Sequence, residues 1–126
     1  MARYSEMRYI VLVPDSPLTS QAFHVLIALA GRDQHGYGIM QDVAARTRGK
    51  IRLGAGTLYG LIKRLLEDGL IAEVRETNRP PRSDDDERRR YYRLTPKGRR
   101  AAQAEAARLT ELLEQARVHG LVAKPN

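Results

Sequence analysis

The sequence has no cysteine, no tryptophan and a single phenylalanine. The lack of Cys excludes disulfides, thiolate chemistry and Cys-based zinc sites, and suits a reducing cytoplasm, where the chain is expected to reside. Six tyrosines carry most of the aromatic mass, so a core has to be built from Leu, Ile, Val and Ala, as in small helices on a short sheet. Long apolar runs are missing as well. The longest, Phe23 to Ala30, is far short of the roughly 20 residues that a membrane-spanning helix needs. Near the N-terminus only Ile10-Val11-Leu12-Val13 follow Arg3 and Arg8, too few for a signal-peptide core, and residues 1–17 are expected to form a leader with fraying ends. Histidine is also scarce: His24, His35 and His119 fall in separate elements without metal-ligand spacing. No convergent set of groups emerges, so neither an enzyme active site nor a metal or cofactor is expected.

What the chain does have is positive charge. Its 126 residues make one domain by length, with a formal charge of +7 and a sequence pI of about 10.1, which makes a polyanion the default partner. Between Arg75 and Arg100 stand ten Lys and Arg against five Asp and Glu, so most of the excess is concentrated there.

Periodicity and punctuation organise the rest. Thr19 is a natural N-cap for a first helix with an apolar stripe at Ala22, Leu26, Leu29 and Ala30, closed by Gly31. A second helix is expected over Tyr37 to Thr47, with Ile39, Met40, Val43 and Ala44 inward. Lys50-Ile51-Arg52-Leu53 alternates polar and apolar, which predicts a brief strand before Gly54 and Gly56. A third helix should run from Ala55 to Asp68 on a stripe of Leu58, Leu61, Ile62 and Leu65, stopped by Gly69. Residues 70–75 and 88–94 read as paired strands, the second with Arg90, Tyr92 and Leu94 on one face. The intervening NRPPRSDDDE cannot continue either strand and reads as a hairpin tip. Thr95-Pro96 opens a last helix to about His119, in which Ala102, Ala106, Leu109, Leu113 and Ala116 recur with heptad spacing.

Helix, helix, short strand, helix, strand, basic hairpin, strand and long helix is the order of a winged helix-turn-helix domain, a mainly α (α+β) fold. The third helix suits a major groove: its stripe anchors it, while Gly56, Thr57, Tyr59, Lys63 and Arg64 lie off that stripe. Its N-terminus adds free N–H groups and a favourable dipole for a phosphate oxygen. Arg88, Arg89, Arg90 and Arg93 at the hairpin base form a basic wing that releases counterions on binding. Asp84, Asp85, Asp86 and Glu87 would be repelled by DNA, so the tip either swings away or screens the arginines. Two bland readings stand beside these: the wing as a solvated charge run, and Gly54 and Gly56 as mere turn residues. The heptad seam, with Leu112 beside it, calls for a second copy: the N-terminal half of the helix is expected to pack on its own domain and the C-terminal half on the partner. The bland reading beside it is that the helix folds back on the first helix of its own chain. From the second copy a homodimer on a palindromic operator follows. The expected units are a leader (1–17), a DNA-binding domain (18–95), a dimerisation helix (96–119) and a tail (120–126). The competing class is a winged-helix interaction module that binds protein or RNA without sequence-specific duplex recognition.

The phrases LTSQAFHVLIALAGRDQHGYGIM, GTLYGLIKRLLEDGLI and RRRYYRLTPKGRRAAQAEAARL resemble those of the PadR family of bacterial transcriptional regulators, in its short form with a single C-terminal helix. The resemblance covers about residues 18–117. It implies a double-stranded DNA operator, repression, dimerisation through the last helix, and release by a small aromatic or other hydrophobic effector. On the matching positions it implies DNA contact by Thr57, Tyr59, Lys63 and Arg64, a supporting place for Tyr37 near a phosphate, and a wing from the arginines of RRRYYRLT. A leader ahead of the first helix and an alanine-rich last helix without aromatics depart from the pattern.

Overall fold

Thr19 starts the first helix by accepting the Ala22 amide on its hydroxyl at 3.1 Å, which satisfies one of the amides that a helix start leaves open. The computed structural model describes residues 18–74 and 90–123; within them the elements are α1 (Ser20–Gly31), β1 (Gln34–His35), α2 (Gly36–Arg46), α3 (Ala55–Glu67), β2 (Ile71–Val74), β3 (Tyr91–Leu94) and α4 (Pro96–Val118). Helix α1 buries Ala22, Val25, Leu26, Ala28 and Leu29. Ala30, placed in the stripe from sequence, is exposed. The buried face is centred on Val25, where α1 packs against α2, β3 and α4.

The short strand also differs from its expected position. Residues 51–54 are irregular, and β1 lies instead between α1 and α2. The alternation of Ile51 and Leu53 inward with Lys50 and Arg52 outward is present, but the Ile51 amide donates to the Thr47 hydroxyl at 3.0 Å rather than to a ladder. Strand β1 gave no periodic signal because two residues have no period, and its inward residue is a glutamine: Gln34 is buried and donates to the Ala28 carbonyl at 3.0 Å.

The sheet order is β1-β3-β2 with both pairings antiparallel. Ile71 opposes Leu94 and Gln34 opposes Tyr92, which aims Ile71 and Tyr92 at a core that also holds Leu26, Ile39, Val43, Leu58 and Ile62. Removing such side chains from water is the main favourable contribution to folding.

Two turns position the working helices. Gly69 ends α3 at φ +75, the left-handed conformation that glycine adopts without penalty, and the Leu70 amide returns to the Leu65 carbonyl at 2.9 Å. Thr95 then caps α4 by accepting the Gly98 amide at 2.9 Å while its hydroxyl donates to the Gly69 carbonyl at 2.7 Å. At Gly98 the helix passes so close to the α3–β2 turn that a β-carbon would stand 1.9 Å from the Leu70 carbonyl oxygen. The start of α4 is thereby fixed to the end of α3, and Ala101 and Ala102 pack against the core.

Candidate nucleic-acid interface

Helix α3 divides cleanly. Leu58, Ile62 and Leu65 are buried and Leu61 is half-buried, whereas Gly56, Thr57, Tyr59, Gly60, Lys63 and Arg64 are exposed. Its N-cap is Gly54, which makes no side-chain capping bond, so the first-turn amides face outward with the positive end of the helix dipole. Nothing lies within 4 Å of a β-carbon built on Gly56 or Gly60. Between Thr57 and Tyr59 on one side and Lys63 and Arg64 on the other, the outer surface is therefore low and open to close approach.

Tyr59 is held more tightly than its off-stripe position suggested. Its ring lies back on α2, where a β-carbon on Gly36 would meet the phenolic oxygen at 2.6 Å. The same helix start is capped by His35, whose Nδ1 accepts the Gly38 amide at 2.9 Å, and its imidazole meets the Tyr91 ring edge-on at 5.3 Å. Tyr37, next to Gly36, is 59% exposed. The fold thus brings Tyr59 against Gly36, the neighbour of Tyr37 at the start of α2, a contact that the sequence signalled only through the small residue in His35-Gly36-Tyr37.

At the wing, Arg90 is exposed and pairs with Glu73 at 3.6 Å. Arg88 and Arg89, the hairpin tip and the aspartate run lie outside the described residues. Arg93, read from sequence as part of the same basic group, is engaged elsewhere: its guanidinium grips Asp33 with hydrogen bonds of 2.8 and 3.1 Å to one carboxylate oxygen. Those bonds, and then the opposite charge, raise the Arg93 pKa. The partner lies 60 positions away in the chain, beyond the reach of any local pattern.

The residues assigned to dimerisation are divided by the fold. Ala102 rests against its own core, and Glu105 is the last buried residue of α4. Beyond it Ala106, Leu109, Leu112 and Leu113 are exposed and Ala116 is half-buried, while Val118 and Leu121 are exposed apolar residues not singled out from sequence. Glu105 pairs with Arg108. The hydrogen bond from Arg108, its charge and the Leu18 amide hold the Glu105 carboxyl below the usual carboxylate range, against the opposing effect of burial. Among the described residues no three His, Asp or Glu side chains come together as a metal-holding group, and no helix is long and apolar enough to cross a membrane.

With this geometry in place, comparison with known proteins is specific. The Transcriptional regulator PadR-like family matches residues 25–104. A PadR-like transcription factor from Bacteroides fragilis is 27% identical, with 93% of this chain and 97% of that one covered and a TM-score of 0.59. A PadR family transcription regulator from Clostridium difficile is 22% identical over 78% of this chain and 95% of that one, with a TM-score of 0.62. A transcriptional regulator from Clostridium thermocellum is 24% identical over 82% and 92%, with a TM-score of 0.60. No curated protein matches the sequence.

Proposed function

The chain belongs to the transcriptional regulator PadR-like family, and from that membership we propose that it is a repressor that binds a palindromic operator as a homodimer. The division of α3 carries this proposal: a buried Leu58, Ile62 and Leu65 edge anchors an outer surface of Gly56, Thr57, Tyr59, Lys63 and Arg64. A helix of about 10–12 Å overall diameter enters a major groove about 12 Å wide most easily where its outer side chains are small. Lys63 and Arg64 then reach phosphates or base edges, the start of α2 with Tyr37 meets the flanking backbone, and Arg88, Arg89 and Arg90 reach from the wing.

Dimerisation through Leu109, Leu112, Leu113 and Ala116 would relate two α3 helices by a two-fold axis. Half-sites about one helical turn apart follow from that symmetry. Release by a small hydrophobic or aromatic effector belongs to the same proposal.

Fluorescence anisotropy with a duplex from the chain's own promoter, measured across a salt series, tests it directly. Binding tighter than to scrambled duplex, with a steep salt dependence, is the expected result. Equal affinity for both duplexes at every salt concentration would overturn specific regulation and leave an interaction module. A promoter-reporter assay distinguishes repression from activation, and adding hydrophobic aromatic compounds to the preformed complex tests effector release separately.

A further inference from the structure

The turn between α2 and α3 carries charge that the preceding proposal does not use. Arg46, Arg48, Lys50, Arg52, Lys63 and Arg64 fall in a stretch, residues 46–64, that contains no Asp or Glu. Arg46 pairs with Asp42 at 3.0 Å. Arg48, Lys50 and Arg52 are exposed and have no carboxylate partner among the described residues.

The backbone holds these three cations in a defined arrangement. Arg48 adopts φ 55 and Gly49 φ 78, two successive left-handed residues, and a non-glycine side chain in that conformation costs free energy. The turn is nevertheless firmly bonded: the Gly49 amide donates to the Ala44 carbonyl at 2.7 Å, the Lys50 amide to the Thr47 carbonyl at 3.0 Å, and the Thr47 hydroxyl to the Val43 carbonyl at 2.9 Å. Ile51 and Leu53 point inward, which turns Lys50 and Arg52 outward. Arg52 folds back over Gly49, its guanidinium 3.1 Å from where a β-carbon would be. One turn thus brings an arginine over the residue between two other cations, an exposed concentration of positive charge that attracts an anion.

Given DNA binding through α3, we propose that Arg48, Lys50 and Arg52 form a second phosphate-contacting surface, which grips the duplex backbone beside the groove that α3 enters. Arg52 stands two residues before the N-cap Gly54, a separation of at most about 7 Å along the chain. Its side chain is therefore within reach of the strand that the open amides of α3 approach. Contacts of this kind position the protein and carry no base information. The surface adds affinity and salt dependence equally for operator and scrambled duplex.

The experiment compares the slope of log affinity against log salt for the full chain and for variants. Arg48→Asn keeps a residue that tolerates the left-handed backbone, and with Lys50→Gln and Arg52→Gln it removes all three charges. The expected result is a slope shallower by about 3 per protomer, at about 0.9 per phosphate, with the operator-to-scrambled ratio unchanged. Lys50→Gln alone, at a side chain whose structure shows no bond to disrupt, should lower the slope by about 1 per protomer even if the triple variant folds poorly. Retention of the full slope by Lys50→Gln and by a folded triple variant would overturn this inference and leave α3 binding intact. A slope lost only on structured RNA would overturn it in favour of an RNA surface. Wild-type chain that fails to bind duplex at low salt would instead overturn the underlying DNA proposal.

Discussion

The Tyr59 phenol occupies the space that a side chain at Gly36 would need, with the ring's terminal carbon 2.9 Å and its oxygen 2.6 Å from a β-carbon built there. This ties the outer surface of α3 to the start of α2. Gly36→Ala should force the Tyr59 ring outward and cost about 1–3 kcal/mol, as overpacking does. In a double-mutant cycle with Tyr59→Ala, the penalty of Gly36→Ala should largely disappear, because the obstructing ring is gone. Denaturant unfolding of the four proteins checks it, and additive penalties would show that the two residues do not meet.

Gly98 and Gly60 should respond oppositely to the same substitution. At Gly98 the obstacle is the Leu70 carbonyl, a backbone atom that cannot swing aside, so Gly98→Ala should cost at least about 3 kcal/mol or prevent folding. At Gly60 nothing lies within 4 Å, and Gly60→Ala in a helix interior should stabilise by about 0.5–1 kcal/mol. Thermal melts measure both. The same Gly60 variant should bind operator more weakly, since its methyl stands on the surface proposed to enter the groove.

Acid should weaken the junction of α1 and α4 through Glu105. Its folded-state pKa is depressed, chiefly by the Arg108 hydrogen bond, so the carboxylate contributes stability above its unfolded pKa of about 4.3. That contribution is lost as pH falls through the lower folded value. Glu105→Gln should therefore be less stable than wild type at pH 7, with the gap closing below about pH 4. Denaturant titrations at a series of pH values read the difference, and a gap that stays constant into acid would remove the carboxylate from this role.

The exposed end of α4 gives a separate prediction. Leu109 and Leu113 are 40% and 47% exposed, so Leu109→Glu with Leu113→Glu should leave the fold intact while abolishing the proposed dimer. Light scattering should show a dimeric wild type and a monomeric variant, and operator affinity should fall because two half-sites can no longer be held together. A monomeric wild type would remove the seam's proposed purpose.

His35 supplies a smaller effect at the start of α2. Its Nδ1 accepts the Gly38 amide, so His35→Ala should cost about 1 kcal/mol and His35→Asn much less, because asparagine is itself a good N-cap. Equal losses in the two variants, measured by thermal melts, would mean that the Tyr91 contact and not the cap is what matters.

Much of this molecule was legible along the chain, because caps, helical spacing and glycine stops act within about four residues through the backbone's own hydrogen bonds. Thr19, Gly69 and Thr95-Pro96 mark their helix ends, and the buried edge of α3 follows the Leu58, Ile62, Leu65 spacing. Folding alone decided the relationships between distant residues: Arg93 with Asp33, Tyr59 against Gly36, Gly98 beneath the Leu70 carbonyl, and a two-residue β1 whose inward side chain is polar. Such pairings depend on how elements cross when their apolar faces are buried together, and neither spacing nor propensity encodes that crossing. The heptad spacing of α4 likewise suggested a seam shared between its own domain and a second surface, but only packing decided where the change falls: Ala102 rests on the protein's own core, Glu105 is the last buried residue, and Leu109, Leu112 and Leu113 stay at the surface.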